Sequence, residues 1–169
     1  NMDNNRIGVT TNNLEDRGNE YSGIYAQGGG TFTNNIIAYN GHVQEGSAAL
    51  ESSTTSSDIT GNQFISNDAG GMALGSSSGI TIGNNSFTGN LYSMQLSGLE
   101  NSEIGSNTFC SSNGGEFTLS YSNNNIISNN KFGSTNDTSL EITGTSTGNS
   151  ITHNAFAQSI EIPIDLGDN

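Results

Sequence analysis

The hydrophobic residues of this chain recur in one pattern: an aliphatic residue, an Asn three positions later and a large apolar residue two positions after that. Five copies read Ile-x-x-Asn-x-Phe and begin at Ile59, Ile82, Ile104, Ile127 and Ile151. Two weaker copies begin at Val9 and Phe32. The last position of the pattern falls at residues 14, 37, 64, 87, 109, 132 and 156, so that successive copies are 22 to 27 residues apart. Such a period predicts stacked supersecondary units, each burying its apolar side against its neighbours.

Each unit is predicted to contain three short strands and three turns. Asn62 and Phe64 keep the two-residue spacing of one strand face, whereas Ile59 and Asn62 are three apart, so a bend is expected at Thr60-Gly61. A second turn is marked by Asn residues that follow the Phe, at Asn40, Asn67, Asn90, Asn113 and Asn136. The third strand carries inward pairs: Ile24/Ala26, Ala48/Leu50, Met72/Leu74, Met94/Leu96, Phe117/Leu119, Leu140/Ile142 and Ile162/Ile164. These features predict an all-β parallel β-helix solenoid of about seven coils of 22–24 residues.

The recurring Asn residues are predicted to form an internal ladder. Equivalent residues of stacked coils lie about 4.8 Å apart, close enough for each amide to bond the next. The amides would also satisfy backbone groups freed at the bend. Because these residues share the parity of the core Phe residues, we expect them to act structurally and not as a row of ligand-binding amides. The ladder comprises Asn35, Asn62, Asn85, Asn107, Asn130 and Asn154, with Asn12 in the first weak copy.

Composition narrows the classes of function. The 169 residues include only three basic ones, Arg6, Arg17 and Lys131, and the net charge is −13. Binding to nucleic acid relies on many Lys and Arg contacts to phosphate, so it is excluded, and anionic membrane surfaces are disfavoured for the same reason. No apolar run reaches the roughly 20 residues of a membrane span. The single Cys110 allows no intrachain disulfide.

The Asn-x-Phe and Asn-x-Ile coils resemble the right-handed parallel β-helix superfamily with the pectin-lyase-like fold. That superfamily includes lyases, hydrolases, epimerases, tailspikes and adhesins, so the resemblance implies the fold and its handedness and leaves the activity open. The segment Arg6-Ile7-Gly8-Val9-Thr10, then Gly23-Ile24-Tyr25, and the tail 164–169 (Ile-Asp-Leu-Gly-Asp-Asn) are similar to repeat regions of large secreted or cell-surface bacterial proteins. We therefore interpret residues 1–169 as one β-helix domain of a larger protein.

A catalytic β-helix carries its working residues on the outward positions of one sheet. On the third strand these positions are predicted to be Tyr25, Ala49, Ala73, Gln95, Thr118, Glu141 and Pro163, without the pair of carboxylates that glycosidases need. Lys131 and His153, one coil apart, are a candidate acid/base pair, with a solvated Lys and a bend His as the alternative. His42 is a further candidate, in a four-residue surplus between Ile37 and Phe64.

Metal binding is predicted only as a candidate role for short acidic runs. Asp165 and Asp168 form such a run near the tail, and Glu100 and Glu103 form another at a corner. Ca²⁺ favours oxygen ligands of this kind, but neither run matches a known Ca²⁺ loop, so solvated charge is the alternative. No other cofactor is expected.

The first functional hypothesis is a structural or adhesive module of a secreted or surface bacterial protein that contacts polysaccharide or another cell-surface component. Tyrosine rings stack on sugars, and the residues expected to do so are Tyr25, Tyr39, Tyr92 and Tyr121. The alternative is a polysaccharide lyase, glycoside hydrolase or epimerase. Open coils at either end are edge strands, which favour end-to-end self-association.

Overall fold

The computed structural model describes residues 1–12, 15–42, 48–53, 57–133, 137–157 and 162–167. Short β-strands account for its regular structure, and the described residues contain no helix. The strands are β1 (Met2–Asp3), β2 (Arg6–Ile7), β3 (Ile24–Gln27), β4 (Gly30–Thr33), β5 (Ile36–Ala38), β6 (Leu50–Ser53), β7 (Ser57–Thr60), β8 (Gln63–Ile65), β9 (Met72–Gly75), β10 (Thr81–Gly83), β11 (Ser86–Thr88), β12 (Met94–Ser97), β13 (Glu103–Gly105), β14 (Thr108–Cys110), β15 (Phe117–Ser120), β16 (Ile126–Ser128), β17 (Lys131–Phe132), β18 (Leu140–Thr143), β19 (Ser150–Thr152), β20 (Ala155–Phe156) and β21 (Ile164–Asp165).

These strands form three parallel sheets, and the chain visits the three sheets in turn. Within the described ranges each sheet has seven strands. The first sheet has the order β1-β4-β7-β10-β13-β16-β19, the second β2-β5-β8-β11-β14-β17-β20, and the third β3-β6-β9-β12-β15-β18-β21. Every third strand is therefore a neighbour in space, which is the topology of a parallel β-helix and confirms the predicted fold class.

The phenylalanines of the second sheet stack in one interior column. Neighbouring ring centroids from Phe64 through Phe87, Phe109 and Phe132 to Phe156 are 4.7, 5.2, 4.8 and 4.7 Å apart. The first four rings are buried, and Phe156 is partly buried. Strand pairing keeps these residues in register, as in Phe64 with Phe87 and Phe87 with Phe109. The predicted core column is confirmed, and it fixes which residues of the second sheet face outward.

The bend between the first and second sheets has the same backbone form in each coil. The residue before each ladder Asn has a positive φ, between 56° and 67°: Asn4, Asn34, Gly61, Asn84, Ser106, Asn129 and His153. Asn, Gly and Ser accept this conformation at low cost or with local hydrogen bonds. The following Asn then points inward. The main-chain N–H of Asn85 donates to Asn107 Oδ1 at 3.0 Å, and Asn85 Nδ2 donates to the same oxygen at 3.1 Å and to the carbonyl of Ile59 at 2.7 Å.

The first coil differs from the prediction. Met2 and Ile7 pair with Phe32 and Ile37, and Asn5 donates to Asn35 Oδ1 at 2.9 Å, so the first repeat begins at Met2 and not at Val9. Val9 instead forms an antiparallel bridge with Asp16. Asn12 is exposed and outside the ladder, and Leu14 lies outside the described residues. The sequence prediction was wrong here because a hairpin inserted in this coil imitates the spacing of one repeat.

The register of the third sheet is shifted in two coils. Ile24 pairs with Leu50, so Leu50 and Ser52 face inward and Glu51 faces outward, where Ala49 was expected. Leu140 pairs with Ile164, so the outward residue of the last coil is Asp165 and not Pro163. Ile162, expected inside, is 60% exposed. These corrections add Glu51 and Asp165 to a face on which Glu141 was the one predicted carboxylate.

Candidate functional site

The outer face of the third sheet carries a shallow groove of ≈570 Å³, which we call the third-sheet groove. Alternation along each strand puts two columns of side chains on this face. One column consists of Tyr25, Glu51, Ala73, Gln95, Thr118, Glu141 and Asp165. The other consists of Gln27, Ser53, Gly75, Ser97, Ser120 and Thr143. The groove is lined from Tyr25 to Thr143 and therefore runs along the helix axis.

Small side chains form the floor of the third-sheet groove at its middle. Ala73 and Gly75 belong to β9, and a Cβ placed on Gly75 would meet only Ser53 Cβ at 3.8 Å, an ordinary contact. Gly75 is therefore not required by backbone strain or by close packing. Its missing side chain leaves open space above the sheet, which gives the groove its depth.

Carboxylates on this face are held by neighbouring donors. Glu51 Oε1 accepts hydrogen bonds from Ser22 Oγ at 2.8 Å and from the Ala48 N–H at 3.0 Å. Glu141 Oε2 accepts a hydrogen bond from Thr118 Oγ1 at 3.3 Å. Asp165 Oδ1 accepts a hydrogen bond from the Gly167 N–H at 2.8 Å. The groove face is thus acidic and its charged groups are positioned, since hydrogen bonding fixes one oxygen of each carboxylate.

One of the four predicted sugar-stacking tyrosines lines the groove, and another lies at the turn that follows β15. Tyr25 is 69% exposed and lines the groove, and its hydroxyl accepts a hydrogen bond from Gln27 Nε2 at 3.1 Å. Tyr121, at 63% exposure, directly follows β15, and its ring lies within 2.8 Å of where a Cβ on Gly144 would be. Both rings therefore present an open surface beside the polar columns.

The other two tyrosines are not exposed as predicted. Tyr39 is partly buried at the turn after β5, where its backbone adopts a φ of 57°. Tyr92 packs across Gly70, where an added Cβ would lie 2.1 Å from the ring. Burial raises the pKa of the Tyr92 hydroxyl to about 12, with the negative charge of Glu51 as the second cause. Tyr92 is therefore packed against the protein near Glu51, and little of its ring is open for stacking on a sugar.

The Lys131 and His153 candidates lie away from the third-sheet groove. Lys131 is exposed on β17 of the second sheet, in register with Thr108 and Ala155. His153 occupies a bend position with a φ of 57° and is exposed. Among the contacts of the described residues, no hydrogen bond or ion pair joins the two side chains. The structure therefore does not bring this pair together, and a catalytic role for Lys131 or His153 stays a prediction.

His42 connects three coils through two carboxylates. Its Nδ1 lies 2.6 Å from Asp68 Oδ2, and its Nε2 lies 3.5 Å from Asp16 Oδ1. The hydrogen bond to Asp68 is the largest cause that raises the pKa of His42 above 6.5. A hydrogen bond from the Gly18 N–H lowers the pKa of Asp16. This cluster attaches the hairpin of the first coil to the body, and it lies at a corner between the second and third sheets.

A cation site of three or more His, Cys, Asp or Glu side chains is not formed by any of the described residues. Asp165 is described and makes the hydrogen bond to Gly167, whereas Asp168 lies outside the described residues. Glu100 and Glu103 are exposed at a corner and on β13. Because Asp168 lies outside the described residues, a Ca²⁺ site at the tail run stays a prediction.

Sequence reasoning missed a buried carboxylate as well as Glu51. Glu116 is fully buried, and it accepts hydrogen bonds from Ser93 Oγ at 2.5 Å and from the Ser112 N–H at 3.4 Å. Asn40, Asn67 and Asn90 form a second Asn ladder at the corner between the second and third sheets. In the coil of Glu116 the equivalent buried residue is Ser112. The replacement of Asn by Ser at this position of the repeat was the available signal.

The fold and the site together define the class of this protein as a parallel β-helix solenoid with a polar groove on one sheet. The chain matches the family described as right handed beta helix region over residues 1–156, and it therefore belongs to that family. No curated protein and no solved structure matches the chain significantly. The described part of the chain contains no helix with the length and apolar character needed to span a bilayer.

Proposed function

We propose that this chain is a rigid module of a secreted or cell-surface bacterial protein that binds polysaccharide along the third-sheet groove. The observation that carries the proposal is the groove itself, which runs along the axis beside the exposed ring of Tyr25. An extended chain laid in such a groove meets one strand about every 4.8 Å, a spacing close to the length of one sugar residue. Hydroxyl, amide and carboxylate groups in the two columns can pair with sugar hydroxyls.

The aromatic edge of the groove supplies a test. Tyr25→Ala removes an exposed ring that lines the groove, and we expect it to weaken binding to soluble polysaccharides by roughly two- to twelvefold, as for loss of one aromatic contact. Tyr21→Ala is the matched control, because Tyr21 is 59% exposed but does not line the groove. Affinity electrophoresis across a polysaccharide panel measures both. Equal retardation of the wild type and the Tyr25 variant on every binding polysaccharide would contradict the placement of the site.

A glycoside hydrolase is the second candidate function, and the corrected register favours it. Glu141 and Asp165 are in register on neighbouring strands of the third sheet. Parallel strands lie about 4.8 Å apart, and retaining glycosidases use two carboxyl groups about 5–5.5 Å apart as nucleophile and acid/base. Glu141 and Asp165 are thus a pair of neighbouring carboxylates, which the outward column predicted from the sequence did not contain.

Release of reducing ends from the same polysaccharides tests the second candidate. Glu141→Gln and Asp165→Asn should each abolish the release, whereas Glu103→Gln, on the exposed face of β13, should leave it unchanged. No release by the wild-type protein, or equal release by all three variants, would leave polysaccharide binding as the function of the face.

End-to-end association of the module is part of the same proposal. The hydrogen bonds of the ladder all run in one direction, from each coil to the next. The main-chain N–H of Asn5 donates to Asn35 Oδ1 near one end, and that of Asn130 donates to Asn154 Oδ1 near the other. A second copy stacked coil on coil would therefore continue the same donor-to-acceptor direction. Light scattering over a wide concentration range should show a rising mass, and a constant monomer mass would contradict association.

A further inference from the structure

Positive charge is missing from the third-sheet groove. Its two columns contain no Lys, Arg or His, and their carboxylates are Glu51, which lines the groove, and Glu141 and Asp165, which continue the same column past Thr118. The three basic residues of the chain lie elsewhere: Arg6 on β2 and Lys131 on β17 belong to the second sheet, and Arg17 lies near Glu15 in the hairpin of the first coil. An acidic ligand in the groove would thus meet Glu51 in the lining, with Glu141 and Asp165 next along the column, and no cationic partner.

We propose that the groove selects neutral polysaccharides and rejects polyuronates and other acidic glycans. This selection rests on the proposed polysaccharide-binding function and assigns its ligand class. The net charge of −13 extends the repulsion beyond the groove, because charges within the Debye length of about 8–10 Å act together at moderate salt. A neutral polysaccharide is not repelled by this negative potential, and its hydroxyl groups can donate hydrogen bonds to the carboxylate oxygens.

The polar groups of the groove fit hydroxyl recognition. Carboxylates accept hydrogen bonds only, so Glu51 and Glu141 need donors, which sugar hydroxyls supply and ionised uronate carboxylates cannot. One oxygen of each is already occupied, by Ser22 Oγ and by Thr118 Oγ1 respectively. Gln95 and Ser97 on β12 add groups that both donate and accept. The set favours a ligand with many neutral hydroxyls.

The length of the groove favours a polymer over a single sugar. The lining extends from Tyr25 on β3 to Thr143 on β18, which is five strand spacings or roughly 24 Å. The open floor at Ala73 and Gly75 lies along this path. A chain of several sugar residues would therefore occupy the groove, with one ring stacked near Tyr25 at one end.

A matched pair of ligands tests the inference. Hydroxyethyl cellulose and carboxymethyl cellulose share one backbone and differ in charge, and pairs of neutral and oxidised β-glucan extend the comparison. Affinity electrophoresis and calorimetry should show binding to the neutral member at least roughly fivefold tighter at about 0.02 M salt, and the ratio should shrink at about 0.5 M salt as repulsion is screened. The measurements are made with EDTA and again with Ca²⁺.

Two variants place the selection in the groove. Gln95→Lys with Thr118→Lys adds cations at outward positions and should raise binding to the carboxymethylated polymer roughly fivefold or more without loss of folding. Ala73→Leu should fill the floor and weaken binding to the neutral polymer. As a control, Thr108→Lys adds a cation on the second sheet and should leave the preference unchanged.

The outcomes separate the two proposals. Binding of the acidic polymer as tightly as the neutral one at low salt, with or without Ca²⁺, would overturn the ligand class while polysaccharide binding stands. A preference for neutral polymer that is unaffected by the paired Lys substitutions would overturn its assignment to the groove. Failure to bind any polymer of either class would overturn the proposed function itself, and the ligand class with it.

Discussion

The inner column of the second sheet and the outer column of the third sheet are built by opposite rules. Phe occupies the inner column in five successive coils, with rings stacked at 4.7 to 5.2 Å. The outer column holds Tyr, Glu, Ala, Gln, Thr, Glu and Asp in seven coils. Inside, each ring must fit its neighbours above and below, so one residue type repeats. Outside, solvent borders each side chain and neighbours constrain its type less, so that the variation can serve recognition.

This difference separates stability from specificity within one coil. A stacked interior shares each side chain between two neighbours, so a single substitution affects three coils. The outer face contributes little to folding, because surface side chains usually change stability by less than about 0.5 kcal/mol. Variants of the two columns should therefore give very different results, and the following predictions test that expectation.

The largest effect is expected at the centre of the Phe column. Phe109→Ala removes a fully buried ring that stacks on Phe87 and Phe132. Its centroid also lies 6.1 Å from the ring centroid of Phe117. The loss of burial and the remaining cavity should lower the free energy of unfolding by about 3–5 kcal/mol. Chemical denaturation measures this change, with the slope checked for two-state behaviour.

Phe156→Ala is the matched control for this prediction. Phe156 ends the described column, is partly buried and stacks only on Phe132. Its loss should cost clearly less than that of Phe109, because part of its surface already faces solvent. Equal losses at both positions would contradict the view that two-sided stacking stabilises the interior.

The Asn ladder comes next in size. Asn107→Ala removes the Oδ1 acceptor for the Asn85 N–H and Nδ2, and the Nδ2 donor to the carbonyl of Ile82 at 2.9 Å. Buried groups left without partners should lower the free energy of unfolding by about 1–3 kcal/mol. Asn113→Ala, at an exposed position, is the control and should change it by less than about 0.5 kcal/mol. Similar melting curves for both variants would mean that the ladder is not stabilising.

The interior was accessible from sequence because its rules are strict. Phe64 and Phe87 align at a fixed interval, and Asn62 and Asn85 keep the parity of the Phe residues, so packing and hydrogen bonding leave one register. The first coil was misassigned because Val9 and Asn12 imitate the repeat although they belong to a hairpin. Spacing alone does not distinguish an inserted hairpin from a coil.

The candidate site was less accessible for a related reason. Ala48 and Leu50 have the apolar i, i+2 spacing of an inward pair, so the sequence prediction placed the inward pair two residues too early, although with the right parity, and Glu51 was left out of the outward column. Burial of Tyr92 depends on the absence of a side chain at Gly70 in the neighbouring coil, a contact between residues 22 positions apart that no local pattern indicates. Outer residues follow no repeat, so the sequence alone does not show which of them lie side by side.

A smaller, pH-dependent effect is expected at the corner where His42 lies between Asp68 and Asp16. The folded state raises the pKa of His42 above 6.5, so protonated His42 stabilises the fold. This contribution is fully present below about pH 6.5 and is lost as the pH rises through the folded-state pKa. Arg17 and Glu15 are the other charged groups of the hairpin.

Asp68→Asn isolates this contribution, because it keeps the shape of the partner and removes its charge. The melting temperature of the wild type should exceed that of the variant at about pH 5.5, and the difference should narrow by about pH 8.5. Lys131→Gln, remote from this corner, should show no such narrowing. A difference that is constant with pH would exclude a protonated His42 as its source.

The smallest effect on folding is expected on the outer column. Gln95→Ala removes an exposed side chain on β12 that lines the third-sheet groove, and it should change the free energy of unfolding by less than about 0.5 kcal/mol. The neighbouring inward residue Met94 supplies the contrast, since Met94→Ala should cost about 2–5 kcal/mol. Denaturation of both variants compares two adjacent positions of one strand. If Gln95→Ala strongly lowered the free energy of unfolding, the outer column would contribute to folding. Its varied residue types could not then be attributed to recognition.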